Sequence, residues 1–253
     1  MYDFHLLDVA ACVFLFTAWP LYTWFSDYSR WAVKSLPHTV NQLREQWMLR
    51  MLGRDARMMD LLIQGNLVRG IAFFASTSIL LVGGILAALG ASDQATTTLS
   101  HIPFAPQTGY APVEYKLLVL LMVFIYAFVK FVWAFRLANY CSILIGAAPE
   151  LTTESSERTE YAAYAGRISS ITGRHFNQGL RANIFAIAVL GWFFHPVAFL
   201  LITIWALGLL YRREFRSGSL DALRKIRSIH GCEMGANRVA SDAVDPPAVP
   251  GAH

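Results

Sequence analysis

The sequence predicts an all-α protein: an integral membrane bundle of four or five transmembrane helices, with amphipathic helices on its cytoplasmic side. The first reason is composition, because 55% of the 253 residues are apolar and only 15% are charged, whereas a soluble domain carries about 25% charge. The second reason is the length of the apolar runs. They reach about 20 residues, enough for a helix to cross a hydrocarbon core of about 30 Å. These features exclude an ordinary soluble domain and a disordered chain.

The first three spans are predicted at about residues 6–25, 70–91 and 115–135. Pro20 is expected to kink the first span, because proline removes a helical hydrogen bond. The second span is rich in Gly, Ala and Ser, which favour close approach between helices in a membrane. Apolar residues continue beyond the third span to Ile145, so we expect that helix to extend out of the hydrocarbon core.

The last apolar block, Asn183–Tyr211, is 29 residues long. As one helix it would measure about 44 Å, too long for a single upright span. His195 and Pro196 lie at its middle. Length alone allows one tilted, kinked helix or two short spans joined by a tight turn.

The distribution of basic residues favours two short spans. Seven Lys or Arg residues lie in 28–69, none in 92–114, five in 136–181 and seven after Tyr211. Cytoplasmic loops carry the excess of Lys and Arg, so the first loop, the third loop and the tail are predicted to be cytoplasmic. Four spans would place the tail on the opposite side, whereas five spans satisfy every loop.

We therefore predict five spans, the fourth at about 177–194 and the fifth at about 196–213, within one transmembrane domain over residues 1–216. The N-terminus is expected outside and the C-terminus in the cytoplasm. The tail over residues 217–253 is expected to be largely disordered, because its end is rich in Pro, Ala and Asp.

Three other segments are predicted as cytoplasmic amphipathic helices. In Thr39–Leu52 apolar residues recur at helical spacing among basic ones, which is typical of a helix on the membrane surface. Binding to a partner is the alternative for this segment. Thr153–Ile171 carries a second apolar stripe, and Gly173 is expected to end that helix. A short basic helix is expected around Leu220–Ile226.

The sequence lacks the usual signatures of catalysis and metal binding. Cys12, Cys141 and Cys232 have neither metal-ligand nor disulfide spacing. His175 and His195 are predicted near opposite faces of the membrane, so they cannot ligate one haem. No carboxylate is expected deep in a span. We therefore predict no catalytic residue, no metal and no cofactor.

Polar and basic residues recur at the inner ends of three predicted spans. The set comprises Gln64, Asn66, Arg69, Lys130, Arg136, Asn139, Asn177 and Arg181. One interpretation is that the basic side chains anchor the spans by reaching toward the headgroups. The sharper hypothesis is a basic pocket for an anionic headgroup, phosphate or carboxylate. The amides suit either a pocket or hydrogen bonds between helices.

Several segments resemble bacterial members of domain-of-unknown-function family 599. They are IQGNLVRG at 63–70, FFASTS at 73–78, FRLANYCS at 135–142, GRHFNQGLRA at 173–182, WFFHP at 192–196 and YRREF at 211–215. The resemblance covers roughly residues 7–217, and its segments match in order. It implies a multi-span membrane protein and no particular activity. Seven members of the polar set, all except Lys130, lie in these segments.

We therefore predict a non-enzymatic accessory or scaffold protein of a bacterial inner membrane. Its expected partners are membrane lipids, anionic ones among them, and other membrane proteins or copies of itself. No nucleic-acid partner is expected, because the basic residues flank the spans. An oligomeric transporter or channel subunit for small solutes, with a basic inner-leaflet site, is the alternative. A lipid-modifying enzyme is the third possibility, for which Asp60 or Glu160 would have to supply the acid or base.

Overall fold

The computed structural model describes residues 6–91, 113–150 and 155–226. Within these ranges the chain forms helices and no strand, so the all-α prediction is confirmed. The long helices are α1 (Leu6–Tyr28), α2 (Leu36–Leu52), α3 (Met58–Gly90), α4 (Val113–Gly146), α5 (Ser155–Gly191) and α6 (Pro196–Phe215). A 3-10 turn at Ala32–Lys34 precedes α2, and a short helix at 218–226 follows α6.

Four helices of the described chain are long and apolar enough to cross a membrane. They are α1, α3, α4 and the stretch Pro196–Ile226 that begins with α6. Helix α5, which contains the predicted fourth span, is not among them. The protein is thus a multi-pass α-helical membrane protein, and the count of five spans stays a prediction.

The apolar block 183–211 forms two helices rather than one. Helix α5 ends at Gly191, and His195 adopts an extended backbone (φ −163°, ψ 142°) at the N-cap of α6. The backbone N–H of Val197 donates to Nδ1 of His195 over 3.1 Å. Pro196 suits the first turn of α6, because a proline there loses no helical hydrogen bond. Trp192 stacks on Phe199 with ring centroids 5.3 Å apart, so the two helices turn back on each other.

The main core lies between α1, α4, α5 and α6, and α3 contributes Val82 and Ile85 to it. Leu15, Val123, Phe185 and Phe199 are fully buried in it. Helix α3 packs mainly against α4, where Ile71 meets Ala134 and Ala138 in a small cluster of its own. The bundle therefore holds α5 at its centre and α3 at its edge.

A second core joins α2 to the first half of α5 and the end of α4. Met48, Met51, Ile145 and Ala162 are buried there. The predicted helix over Thr39–Leu52 is present, but part of its apolar face is covered by protein. Part of the apolar stripe therefore serves a helix neighbour, which it fits as well as a membrane surface, and the location of α2 at the membrane surface stays a prediction.

The expectation that Gly173 ends a helix was wrong, because α5 continues through it to Gly191. A Cβ atom at Gly173 would lie 1.7 Å from Nη1 of Arg44, and one at Gly166 would lie 3.0 Å from Cα of Glu45. These glycines therefore allow α2 to approach α5 closely. Gly173 therefore makes room for a neighbouring side chain inside a continuous helix and does not form a left-handed C-cap that ends it.

The tail begins as the expected short helix. Leu220 is buried, and Nη2 of Arg224 donates to the carbonyl oxygen of Lys34 over 2.6 Å, which holds this helix beside the start of α2. The expected disorder falls mainly on residues 227–253, which lie outside the described residues. Cys232 and the proposed start of the second amphipathic helix at Thr153 also lie outside them.

Candidate functional site

A buried arginine ties three helices together. The guanidinium of Arg181, on α5, donates from Nε to Oε1 of Glu214 and from Nη1 to Oδ1 of Asp27, each over 2.8 Å. Its Nη2 donates to Oγ of Ser26 over 2.8 Å. Asp27 and Ser26 end α1, and Glu214 ends α6. We call these four residues the Arg181 centre.

The surrounding polar side chains complete the hydrogen bonding of the Arg181 centre. The hydroxyls of Tyr22 and Ser26 donate to Oε2 of Glu214, and the amide of Gln178 donates to Oδ2 of Asp27 over 2.7 Å. The centre carries two carboxylates and one guanidinium, a net charge of −1, while Lys130 lies within Coulombic range of Asp27. Every guanidinium nitrogen is engaged, so the centre joins helices and is not itself an open anion site.

A second buried polar cluster lies at the other end of α1. The indole N–H of Trp192 donates to Oδ1 of Asp8 over 2.6 Å. The ammonium of Lys116 donates to the carbonyl oxygen of Trp192 over 3.1 Å. Asp8 and Asp27 are 19 residues apart on one helix, a rise of about 28 Å. This separation matches the thickness of a hydrocarbon core, about 30 Å.

A cavity of about 190 Å³ adjoins the Arg181 centre between α2, α5 and α6. We call it the arginine cleft, because the side chains of Arg44, Arg181 and Arg213 all line it. Asn177 and Glu214 add polar groups to its wall. The remaining wall is apolar and comprises Leu36, Pro37, Val40, Phe176, Leu180, Ile184 and Leu210. The cleft thus combines cations with a surface that suits an apolar chain.

A cavity of about 200 Å³ lies on the α3 and α4 side of α5. Gln64, Asn66, Cys141 and Thr172 contribute its polar lining, and Arg44 reaches this cavity as well. The amide of Gln64 donates to the carbonyl oxygen of Ala138 over 2.9 Å, which bridges α3 and α4. This cavity holds fewer cations than the arginine cleft and is a weaker candidate for an anion.

The structure distributes the eight predicted residues over several places. Asn177 and Arg181 line the arginine cleft, whereas Gln64 and Asn66 line the α3 cavity. The other four lie outside both cavities. Arg69 is exposed and bonds to Asn66, and Arg136 is exposed beside Trp133 and Tyr140. Lys130 lies over the ring of Tyr126, and Asn139 is half-buried. The set therefore does not form the single convergent pocket of the sharper hypothesis.

Sequence reasoning missed the partners that give Arg181 its role. Asp27 and Glu214 lie just beyond the predicted spans, and neither was weighed as part of the polar set. Their position next to span ends was the available signal, because a buried arginine at that level needs carboxylates. Arg44, which lies off the apolar stripe of its helix, was not part of the predicted set, although it lines both cavities.

The described residues contain no group of three or more His, Cys, Asp and Glu side chains that could hold a metal ion. The Arg181 centre does contain two carboxylates, but both are saturated with hydrogen bonds. What the geometry offers is binding by cationic and amide side chains. The polar groups are therefore best understood as helix connections and as the wall of a binding cleft.

The fold and its polar centres define a multi-pass α-helical membrane protein whose central helix is anchored by buried charge. The chain belongs to the family described as protein of unknown function, DUF599, whose sequence model matches residues 10–219. The resemblance found in the sequence is thereby confirmed. Among curated proteins and among solved structures, nothing matches the chain significantly.

Proposed function

We propose that the protein is a non-enzymatic accessory or scaffold protein of a bacterial inner membrane. It associates there with other membrane proteins or with copies of itself, and its basic residues contact anionic lipid. The observation that carries the proposal is the position of α3 at the edge of the bundle. This 33-residue helix packs mainly against α4 and leaves an apolar face uncovered by the described chain.

The uncovered face of α3 is suited to another helix. Ser76, Leu80, Gly83 and Ala87 are exposed at spacings of three and four residues, so they lie on one side. A Cβ atom at Gly83 would meet nothing within 4 Å. Small residues let two helix backbones approach closely in lipid, where van der Waals contact drives association. The exposed face thus has the chemistry of a helix–helix interface as well as that of a lipid-facing surface.

Orientation follows from the basic residues. With the Asp27 end of the bundle at the cytoplasmic face, α2 and the tail helix lie in the cytoplasm, where Lys and Arg are enriched. Anionic lipids of that leaflet attract such residues with about 1 kcal/mol each. The proposal therefore places the N-terminus outside and the C-terminus inside.

A substitution on the exposed face tests the proposal. Gly83→Leu adds bulk without an internal clash, so the monomer should fold while its association is lost. Gly208→Leu is the matched control, because Gly208 also has open space but lies on α6. We would extract each variant in native-membrane nanodiscs and measure particle mass by mass photometry.

The wild-type chain and Gly208→Leu should yield particles heavier than one 28.3 kDa chain in its lipid disc, whereas Gly83→Leu should yield monomers. Monomeric wild-type particles, or equal masses for both variants, would contradict the proposal. The transporter alternative requires Lys130 or Arg136 to face a water-filled cavity, and neither lines the two cavities described above. The scaffold proposal therefore stands first.

A further inference from the structure

Arg44 is a partly buried cation that has no carboxylate partner within the described chain. The ion pairs found there do not include it. Its two hydrogen bonds both use Nη1, which donates to Oδ1 of Asn41 over 3.0 Å and to the carbonyl oxygen of Ser169 over 3.4 Å. Burial lowers the pKa of this guanidinium below its ordinary value, although it remains charged. An anion bound beside this half-buried guanidinium would offset part of the cost of removing its charge from water.

The position of the Arg44 guanidinium is fixed by α5. Because Gly173 has no side chain, the guanidinium of Arg44 lies directly against α5 at this position. A Cβ atom built on Gly173 would lie within 2.8 Å of both Nη1 and Nη2. Nη1 is held by α5 and by its own helix, whereas Nε and Nη2 have no hydrogen-bond partner among the described residues. A ligand in the arginine cleft can therefore use a guanidinium that is already oriented.

Arg213 provides a second cation in the same cleft. It lines the cavity from α6 and forms no ion pair within the described chain. Arg181 lines the cleft too, but its three nitrogens are engaged with Ser26, Asp27 and Glu214. Arg44 and Arg213 thus add a charge of +2 to the −1 of the Arg181 centre, and the cleft has a net charge of +1. A tetrahedral anion fits two guanidinium groups well, because each offers paired N–H donors.

We propose that the arginine cleft binds the phosphate group of an anionic ligand between Arg44 and Arg213. Asn177 lies in the cleft wall as a further hydrogen-bonding group, and Leu180, Ile184 and Leu210 form an apolar wall for an attached chain. The phosphate belongs either to a membrane lipid or to a small soluble ester. This inference goes beyond the scaffold proposal and does not depend on it.

Phosphatidylglycerol is the probe, added to the full-length protein in non-ionic detergent and counted by native mass spectrometry. Arg44→Gln and Arg213→Gln should each weaken its binding roughly tenfold, because each removes charge-assisted hydrogen bonds to the phosphate. Arg212→Gln is the matched control: it removes the same charge one residue away, at an exposed position that does not line the cleft. It should change binding by less than about twofold, because Arg212 does not line the cleft and its exposed charge is screened by water.

Thermal unfolding of each variant in lipid-free detergent checks that the fold is intact. Because Arg213 is exposed, the Arg213→Gln variant still tests the proposal if Arg44→Gln fails to fold.

Excess sodium phosphate, compared with sodium chloride at matched ionic strength, distinguishes the sources of the phosphate. Competition by sodium phosphate supports a soluble ester as well as a lipid, and its absence supports a lipid alone. Wild-type affinity in both cleft variants, or an equal loss in Arg212→Gln, would overturn the proposal. Phosphatidylglycerol binding by the monomeric Gly83→Leu variant would show that the cleft acts independently of association.

Discussion

Replacing Arg181 with Met should destabilise the protein more than any replacement of an exposed arginine. The Arg181 side chain is 2% exposed, and it contacts two carboxylates whose side chains are 5% and 8% exposed. Methionine fills much of the volume but leaves Asp27 and Glu214 without their cation. Removing one partner of a buried ion pair costs about 3–5 kcal/mol.

The hydrogen-bond donors that remain near the two carboxylates determine how much stability is lost within this range. Tyr22 and Ser26 still donate to Glu214, and Gln178 still donates to Asp27. Because these neutral donors partly solvate the carboxylates, we expect a loss near 3 kcal/mol. Such a loss is large beside a total stability of about 5–15 kcal/mol.

Unfolding by sodium dodecyl sulfate in mixed micelles, followed by circular dichroism, measures this difference. Arg167→Met is the control, because Arg167 is exposed on the same helix and should cost no more than about 0.5 kcal/mol. The double variant Arg181→Met with Glu214→Gln should cost less than the sum of the two single changes, by about 0.5–3 kcal/mol of coupling. A cost for Arg181→Met equal to that of Arg167→Met, or strict additivity in the double variant, would refute the reasoning.

Two further predictions use the same unfolding assay. Gly179→Ala should cost about 1–3 kcal/mol, because its Cβ would lie 2.6 Å from Cε1 of the fully buried Phe131; an unchanged stability would show that the ring can move aside. Trp192→Phe should cost about 1.5–3 kcal/mol through loss of the indole hydrogen bond to Asp8. Trp205→Phe, at a position 61% exposed, should cost far less; equal costs would show that the indole N–H contributes nothing specific.

The helices were predictable because their signals are local. Run length and hydropathy identify α1, α3 and α4, and the His195–Pro196 dipeptide marks the break before α6. The environment of each helix face was not predictable in this way. An apolar stripe on α2 fits a membrane surface or a protein neighbour equally, so burial of Met51 against α5 could not be read from spacing. Gly173 likewise gives the same local signal whether it ends a helix or makes room for Arg44.

The candidate site was predictable only in part, because its contacts are long-range. Arg181 was identified as a polar residue at a span end, but its partner Asp27 lies 154 residues away in the chain and Glu214 lies 33 residues away. An arginine at the end of a span can reach the lipid headgroups or form an ion pair inside the protein, and the neighbouring sequence is the same in both cases. Only the fold distinguishes these alternatives. It shows that Arg181 is paired inside the protein and that Arg44 lines an open cleft.

The course of the chain between its two polar levels bears on the number of spans. Helix α1 runs from the Asp8 level to the Asp27 level, and α4 leaves the Asp8 level at Lys116. Helix α5 returns to that level, because its Arg181 bonds to Asp27 and Trp192, which directly follows the helix, bonds to Asp8. Helix α6 then brings Glu214 back to Asp27 through Arg181.

Such a course leaves the tail on the same side as the first loop, which the contact between Arg224 and Lys34 requires as well. A four-span arrangement that omits α5 would separate these two residues by the full bilayer. The low hydropathy of α5 is no obstacle to crossing, since Gln178 and Arg181 are buried and bonded to α1 or α6 and do not face lipid. A helix that faces lipid must have apolar side chains, whereas a helix surrounded by other helices can carry polar side chains. Five crossings therefore stay a prediction, and this course of the chain is the physical argument for them.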